Sequence, residues 1–226
     1  MTTRHAILAG MLMLFACTAL QAQRSINLSD HLLIKTSDAY LYGGPDPGYE
    51  GSPYMTDDFV TTTVYTGTLK LDPLPMRYNI FANVMEFRQS NETFLLEADP
   101  RITRIEMGDR IFVVEDFKLM GKKQPWFMEL LEPGKLTLLA KNSVAFRKKV
   151  EINDLPAKYS RSADVYYCRI GDQDLVKVGN MKDLIGSLPD KQQEVTQFAK
   201  EQKLSAKDKD DLVKLARYYN SLFANN

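Results

Sequence analysis

The stretch PWFMELLEPGKLTLLAKN, residues 125 to 142, constrains the fold more than any other in the chain. Two apolar, β-prone runs flank Pro133 and Gly134. Proline presets the first φ of a type II turn and glycine accepts the positive φ of the second, so the pair predicts a hairpin. The same grammar recurs on both sides of it. TTTVYTGTLKL alternates and is β-branched, MRYNIF and VMEF flank a turn at Ala82-Asn83, and ETFLLEA follows a polar turn at Gln89 to Asn91. DRIFVVEDF is strongly β-prone, and VYYCRI-GDQD-LVKV predicts a further hairpin from about 165 to 178. Short strands at this spacing, separated by turn residues, predict an antiparallel meander, sandwich or partly open barrel.

From about residue 180 the period changes. Met181, Leu184, Ile185 and Leu188 are helically spaced. So are Val195, Phe198 and Ala199, and then Leu212, Leu215, Ala216 and Tyr219. Each run opens on a capping pattern: Asn180 with Asp183, Asp190 with Gln193, Ser205 with Asp208. Gly186 weakens the first helix and Pro189 ends it. The expectation is a short helix and then a helical pair, closing near Leu222. The fold class is therefore α+β, a β-rich body followed by a C-terminal helical segment.

The N-terminus reads as an export signal. Arg4 precedes an apolar run from Ala6 to about Ala16, and small and polar residues follow. That run is shorter than the about 20 residues a membrane-spanning helix needs. Cleavage after Ala22 would start the chain at Gln23. A loose lipoprotein box, Leu14-Phe15-Ala16-Cys17, offers the alternative of acylation at Cys17. The expected organisation is a signal peptide over 1–22, an N-terminal segment and Gly/Pro linker over 23–54, a β-rich domain over 55–179 and helices over 180–226. The protein is then periplasmic, outer-membrane-associated or secreted, with no transmembrane span.

The chain carries 29 basic and 29 acidic residues, so its net charge draws it toward neither nucleic acid nor an anionic surface. With Cys17 removed or acylated, Cys168 stands alone and no internal disulfide is available. A small buried apolar residue in a strand is its expected role.

Few catalytic constellations fit. His5 lies in the signal, which leaves His31 alone for a Ser-His-Asp or Cys-His site. Transition-metal ligands are as scarce, and no metal or cofactor is expected. DKDD, from Asp208 to Asp211, lacks the glycine of a calcium loop and reads as the acidic first turn of a helix. No Gly-rich phosphate loop is present. A carboxylate pair of glycosidase type is a spatial relation that spacing alone does not reveal.

The stretch LPMRYNIFANVMEF raises the main candidate site. In a strand, Leu74, Met76, Tyr78 and Ile80 point one way, and Arg77 and Asn79 the other. Arg77 then neighbours Glu86 or Arg88 across the hairpin, as a modest surface ion pair. Arg77, Tyr78 and Asn79 would make a polar patch if a cleft lay over them. Trp126, the only tryptophan, is a further candidate for stacking on a sugar or lipid, against the commoner role of core aromatic.

The runs GSPYMTDDF, PMRYNIFANVMEF and LARYYNSLF resemble those of an uncharacterised family of secreted proteins common in Bacteroidota, over most of the chain after about residue 50. The resemblance implies export and a β-rich body with a helical C-terminus, and no reaction. The leading expectation is a non-enzymatic envelope protein that binds or assembles with another envelope protein. A carrier or receptor for a small apolar or glycan ligand is the second reading. A His-independent hydrolase working through carboxylates is the third.

Overall fold

The structure, a computed structural model, describes residues 34–36, 49–67, 69–90, 92–119, 121–150, 152 and 155–223. The expected signal peptide, Cys17, His31 and most of the Gly/Pro linker lie outside the described residues. Strands β1 (Ile34–Thr36), β2 (Tyr49–Glu50), β3 (Val60–Thr66), β4 (Leu69–Lys70), β5 (Leu74–Asn79), β6 (Val84–Gln89) and β7 (Glu92–Glu97) come first. They are followed by β8 (Ile102–Met107), β9 (Arg110–Leu119), β10 (Lys122–Glu132), β11 (Leu136–Lys141), β12 (Val144–Arg147), β13 (Ala157–Arg161), β14 (Val165–Ile170) and β15 (Val176–Lys177). Helices α1 (Met181–Gly186), α2 (Gln192–Glu201) and α3 (Lys209–Ser221) end the chain. The protein is α+β: a curled, antiparallel half-barrel sheet followed by C-terminal helices.

The main sheet runs β1-β7-β6-β5-β3-β8-β9-β10-β11-β14-β15, with β4 on β3. Its register puts Ile105, Phe112, Glu129, Ala140 and Tyr166 opposite one another in a single row. Paired residues project to the same side, so this row marks one continuous inner face. Twist accumulates from strand to strand and curls that face on itself at one end. There Met76, Tyr78, Phe87, Phe112 and Phe127 form a closed core.

At the other end the helices cover the same face. Leu136, Leu138, Cys168 and Ile170 meet Leu184, Ile185, Val195, Leu212, Leu215 and Tyr219 from the helices. Cys168 takes its expected place in strand β14, and burial pushes its thiol up to about 11. Glu129 sits at the seam between the two cores, 5% exposed. Arg110 donates to it at 2.9 Å, Asn142 at 3.2 Å and Lys209 of α3 at 3.4 Å. A buried carboxylate needs such partners, because desolvation is otherwise uncompensated.

The helix starts divide into expected and unexpected. Asn180 caps α1, accepting from the Asp183 amide at 2.9 Å. The cap of α3 is Asp208, which accepts from the Asp210 and Asp211 amides, so this helix opens three residues later than the Ser205 expectation. The α2 expectation is corrected outright. Lys191 occupies the cap position in the left-handed region, with no side-chain cap bond. Asp190 instead accepts from Tyr219 at 2.7 Å and Lys135 at 2.9 Å, tying α3 and the hairpin turn to the loop before α2.

The Pro133-Gly134 turn also differs from expectation. Gly134 has φ +141°, wider than a type II turn. Asn220 of α3 clamps it: the Leu136 amide donates to Asn220 Oδ1 at 2.8 Å, and Asn220 Nδ2 donates to the Pro133 and Leu136 carbonyls at 3.0 Å. A β-carbon at Gly134 would strike the Asn220 side chain. No helix among the described residues is long and apolar enough to cross a membrane.

A second, three-stranded sheet has the order β12-β13-β2, with β2 parallel to β13. It begins inside the segment expected to be linker. Gly51, at φ +75°, lets the chain pass against the Tyr159 carbonyl, where a β-carbon would collide.

Candidate functional site

The β5–β6 hairpin has the expected register, with Met76 opposite Phe87, Arg77 opposite Glu86 and Tyr78 opposite Met85. Alternation separates the three candidate residues. Arg77 and Asn79 project to the outer face. Tyr78 projects inward, fully buried, its hydroxyl donating to Asn83 Oδ1 at 3.0 Å and its ring 5.3 Å from Phe112. Burial holds the Tyr78 phenol above its ordinary range. One patch made of all three residues is therefore not what the hairpin presents.

The outer face is not the wet surface expected there. The segment from Ser52 to Phe59 lies over it. Arg77 bonds Glu86 Oε2 through Nε at 2.8 Å and Nη2 at 2.7 Å. Its guanidinium stacks 3.7 Å from the Tyr54 ring centroid and 4.6 Å from that of Phe59. Arg88 approaches Phe59 at 4.0 Å, so the ring sits against two guanidinium groups. Tyr54 donates to Glu86 Oε1 at 3.0 Å, and burial, then the Glu86 charge, raises its phenol. Asn79 is buried, and its Oδ1 accepts from the Ala82 amide at 3.0 Å to hold the turn. This network spends its hydrogen bonds internally.

Beside it lies an aromatic shelf. Phe146 and Tyr159, paired across β12 and β13, have ring centroids 4.6 Å apart. Phe81 from the β5–β6 turn joins them at 5.8 and 5.3 Å, and Tyr49 of β2 meets Tyr159 edge-on at 5.1 Å. Phe81 is 44% exposed and Phe146 38%. Burial raises the Tyr49 phenol while the Arg77 charge opposes the shift. A recess of about 420 Å³ opens between Ser52, Tyr54, Asp57, Tyr159 and Arg161. Among the described residues six large apolar side chains are exposed, and four of them, Phe81, Phe146, Ile152 and Leu155, belong to the β12–β13 hairpin or pack on it.

Trp126 lies elsewhere, half-buried on β10. Its ring is 5.6 Å from Phe117, and Lys141 Nζ stands 4.6 Å from it. Burial lowers the Lys141 ammonium below its usual range. The indole N–H is buried without an aligned hydrogen-bond partner. Trp126 thus shares no site with Arg77 and Asn79.

Sequence reasoning passed over Tyr54, Phe59, Phe81, Phe146, Tyr159 and Arg161. One signal was available: Phe81 occupies a turn, where polar residues prevail, and Phe146 stands in a run of basic residues. No group of three or more His, Cys, Asp or Glu able to hold a metal occurs among the described residues. No protein-family model, no curated protein and no solved structure matches the chain.

Proposed function

We propose that the chain is an exported, non-catalytic component of the cell envelope that binds another envelope protein through the Phe81–Phe146–Tyr159 shelf. Export rests on the N-terminal segment of the sequence. The observation that carries the binding reading is the gathering of exposed aromatic and aliphatic side chains on one small sheet, beside a rigid, internally satisfied arginine network. Aromatic anchors flanked by arginine are the side chains that contribute most at protein interfaces.

The test is a native mass spectrum of the protein purified gently from its own envelope, beside the Phe81→Ser/Phe146→Ser double variant. A second protein carried by the wild type and lost from the variant is the expected result. Wild-type protein that carries no partner, or a partner retained by the variant, overturns the proposal. Both rings are partly covered, so circular dichroism checks that the variant folds, and Phe81→Ser alone replaces it if it does not.

The recess beside Tyr159 favours a second reading, a small glycan. Ser52, Asp57 and Arg161 offer groups that bond a sugar's hydroxyls. A monomer carrying a small extra mass, lost on Arg161→Ala but kept by the Phe81→Ser/Phe146→Ser variant, would select this reading over the first.

A further inference from the structure

The helical layer carries a groove that neither the β-sheets nor the shelf uses. It lies between α1 and the end of α2, with a volume of about 680 Å³. That is the size of a small-molecule site. Met181, Ile185, Ala199 and Leu204 supply apolar walls. Lys182, Lys200 and Lys203 stand at its rim, and no acidic residue lines it. None of the three lysines forms an ion pair among the described residues. The chain as a whole is neutral, so three unpaired cations around one apolar groove are a local excess. The turn after α2 contributes to it: Lys203 adopts φ +54°, and the Leu204 amide returns to the Ala199 carbonyl at 2.9 Å, bringing Leu204 back to the groove.

We infer that this groove binds a small anionic amphiphile, an acyl chain of fatty-acid type lying along the apolar walls with its anionic head among the three lysines. An apolar trough alone would accept any hydrophobe. The lysines specify the sign of the head group, because an anion gains their attraction while a cation is repelled. The volume limits the occupant to a molecule of drug-like size rather than a partner helix. The site is independent of the shelf, and its occupancy leaves the protein–protein reading untouched.

Sodium laurate is the probe, titrated by isothermal calorimetry below its micelle concentration into the whole exported chain. Saturable binding of one laurate per chain is expected. Gly186→Leu should abolish it. Gly186 lines the groove, and a β-carbon there meets nothing within 4 Å, so the side chain grows into the groove without disturbing the core. Should that variant misfold by circular dichroism, Thr196→Phe fills the groove from α2. The Lys182→Gln/Lys200→Gln/Lys203→Gln variant should weaken laurate about tenfold and flatten its salt dependence. Dodecyltrimethylammonium should bind wild type at least tenfold more weakly than laurate. Absence of saturable laurate binding, or binding equal in wild type and the folded groove-filled variant, would sink the inference. Equal affinity for laurate and the cationic detergent would overturn its anionic part.

Discussion

The two ends of the main sheet bury the same face by different means. The curled end closes on itself: strand pairing, including β3 on β8, brings Met76, Tyr78, Phe87, Phe112 and Phe127 together, and no helix contributes to that core. The other end is not closed by strands alone: α1–α3 supply most of its core. Both ends join distant residues, but by different means: the curl by backbone pairing such as Thr62 opposite Met107, the helical cover by side-chain ties such as Asn220 to Leu136, 84 positions apart. Glu129 is where the two solutions meet.

Removing residues 180–226 should have the largest effect. It exposes Leu136, Leu138, Cys168 and Ile170 together, and the chain is expected to be insoluble. Hydrogen exchange on any soluble fraction would show whether the curl keeps its protection alone. If it does, the two ends are separate cooperative units.

Glu129→Ala comes next, at about 3 kcal/mol, since it removes the buried carboxylate that Arg110, Asn142 and Lys209 share at the seam and leaves Asn142 only its bond to Asp164. Denaturant melts followed at both ends should shift together; a shift at one end alone would place the seam within that end. Asn220→Ala removes three bonds to the turn backbone and should cost about 2–3 kcal/mol, felt first in the helical end. Arg77→Ala, in the curled end, should cost about 1–2 kcal/mol through the Tyr54 and Phe59 stacking and the Glu86 pair. Thermal midpoints rank these variants, and an Arg77→Ala loss greater than that of Asn220→Ala would reverse the comparison.

The smallest effect is in the acid limb. Hydrogen bonds from Lys135 and then Tyr219 hold the Asp190 carboxyl below its ordinary value. A depressed folded pKa stabilises the protein above the unfolded value of about 4 and loses that contribution as pH falls through the folded one. Asp190→Asn should therefore flatten the decline of the thermal midpoint below pH 4, with no change in the shape of the curve above pH 5. An unchanged acid limb would remove Asp190 from the ties of the helical end.

Much of the fold could be read before the structure. Alternation narrowed the partner of Arg77 to Glu86 or Arg88, of which the structure selects Glu86, and the helical spacing of Leu212, Leu215, Ala216 and Tyr219 named the buried face of α3. The DKDD run was readable as a helix start because capping is decided within one turn. The candidate site was only half readable. Arg77 and Asn79 share a face by strand period, but their cover, Tyr54 and Phe59, comes from a segment whose Gly- and Pro-rich approach reads as linker. Asp190 had the form of a cap, and a hydroxyl 29 positions away claimed it instead.

By itself, then, the sequence determined the fold class, most strands of the main sheet and the buried faces of the helices, because periodicity, turn chemistry and capping act over a few residues. Only the tertiary structure decided which end of the sheet closes on itself, what lies over Arg77, where the exposed rings gather and which lysines surround the helical groove. Those outcomes depend on twist accumulated over many strands and on contacts between distant residues, and neither is encoded in any short window of the chain.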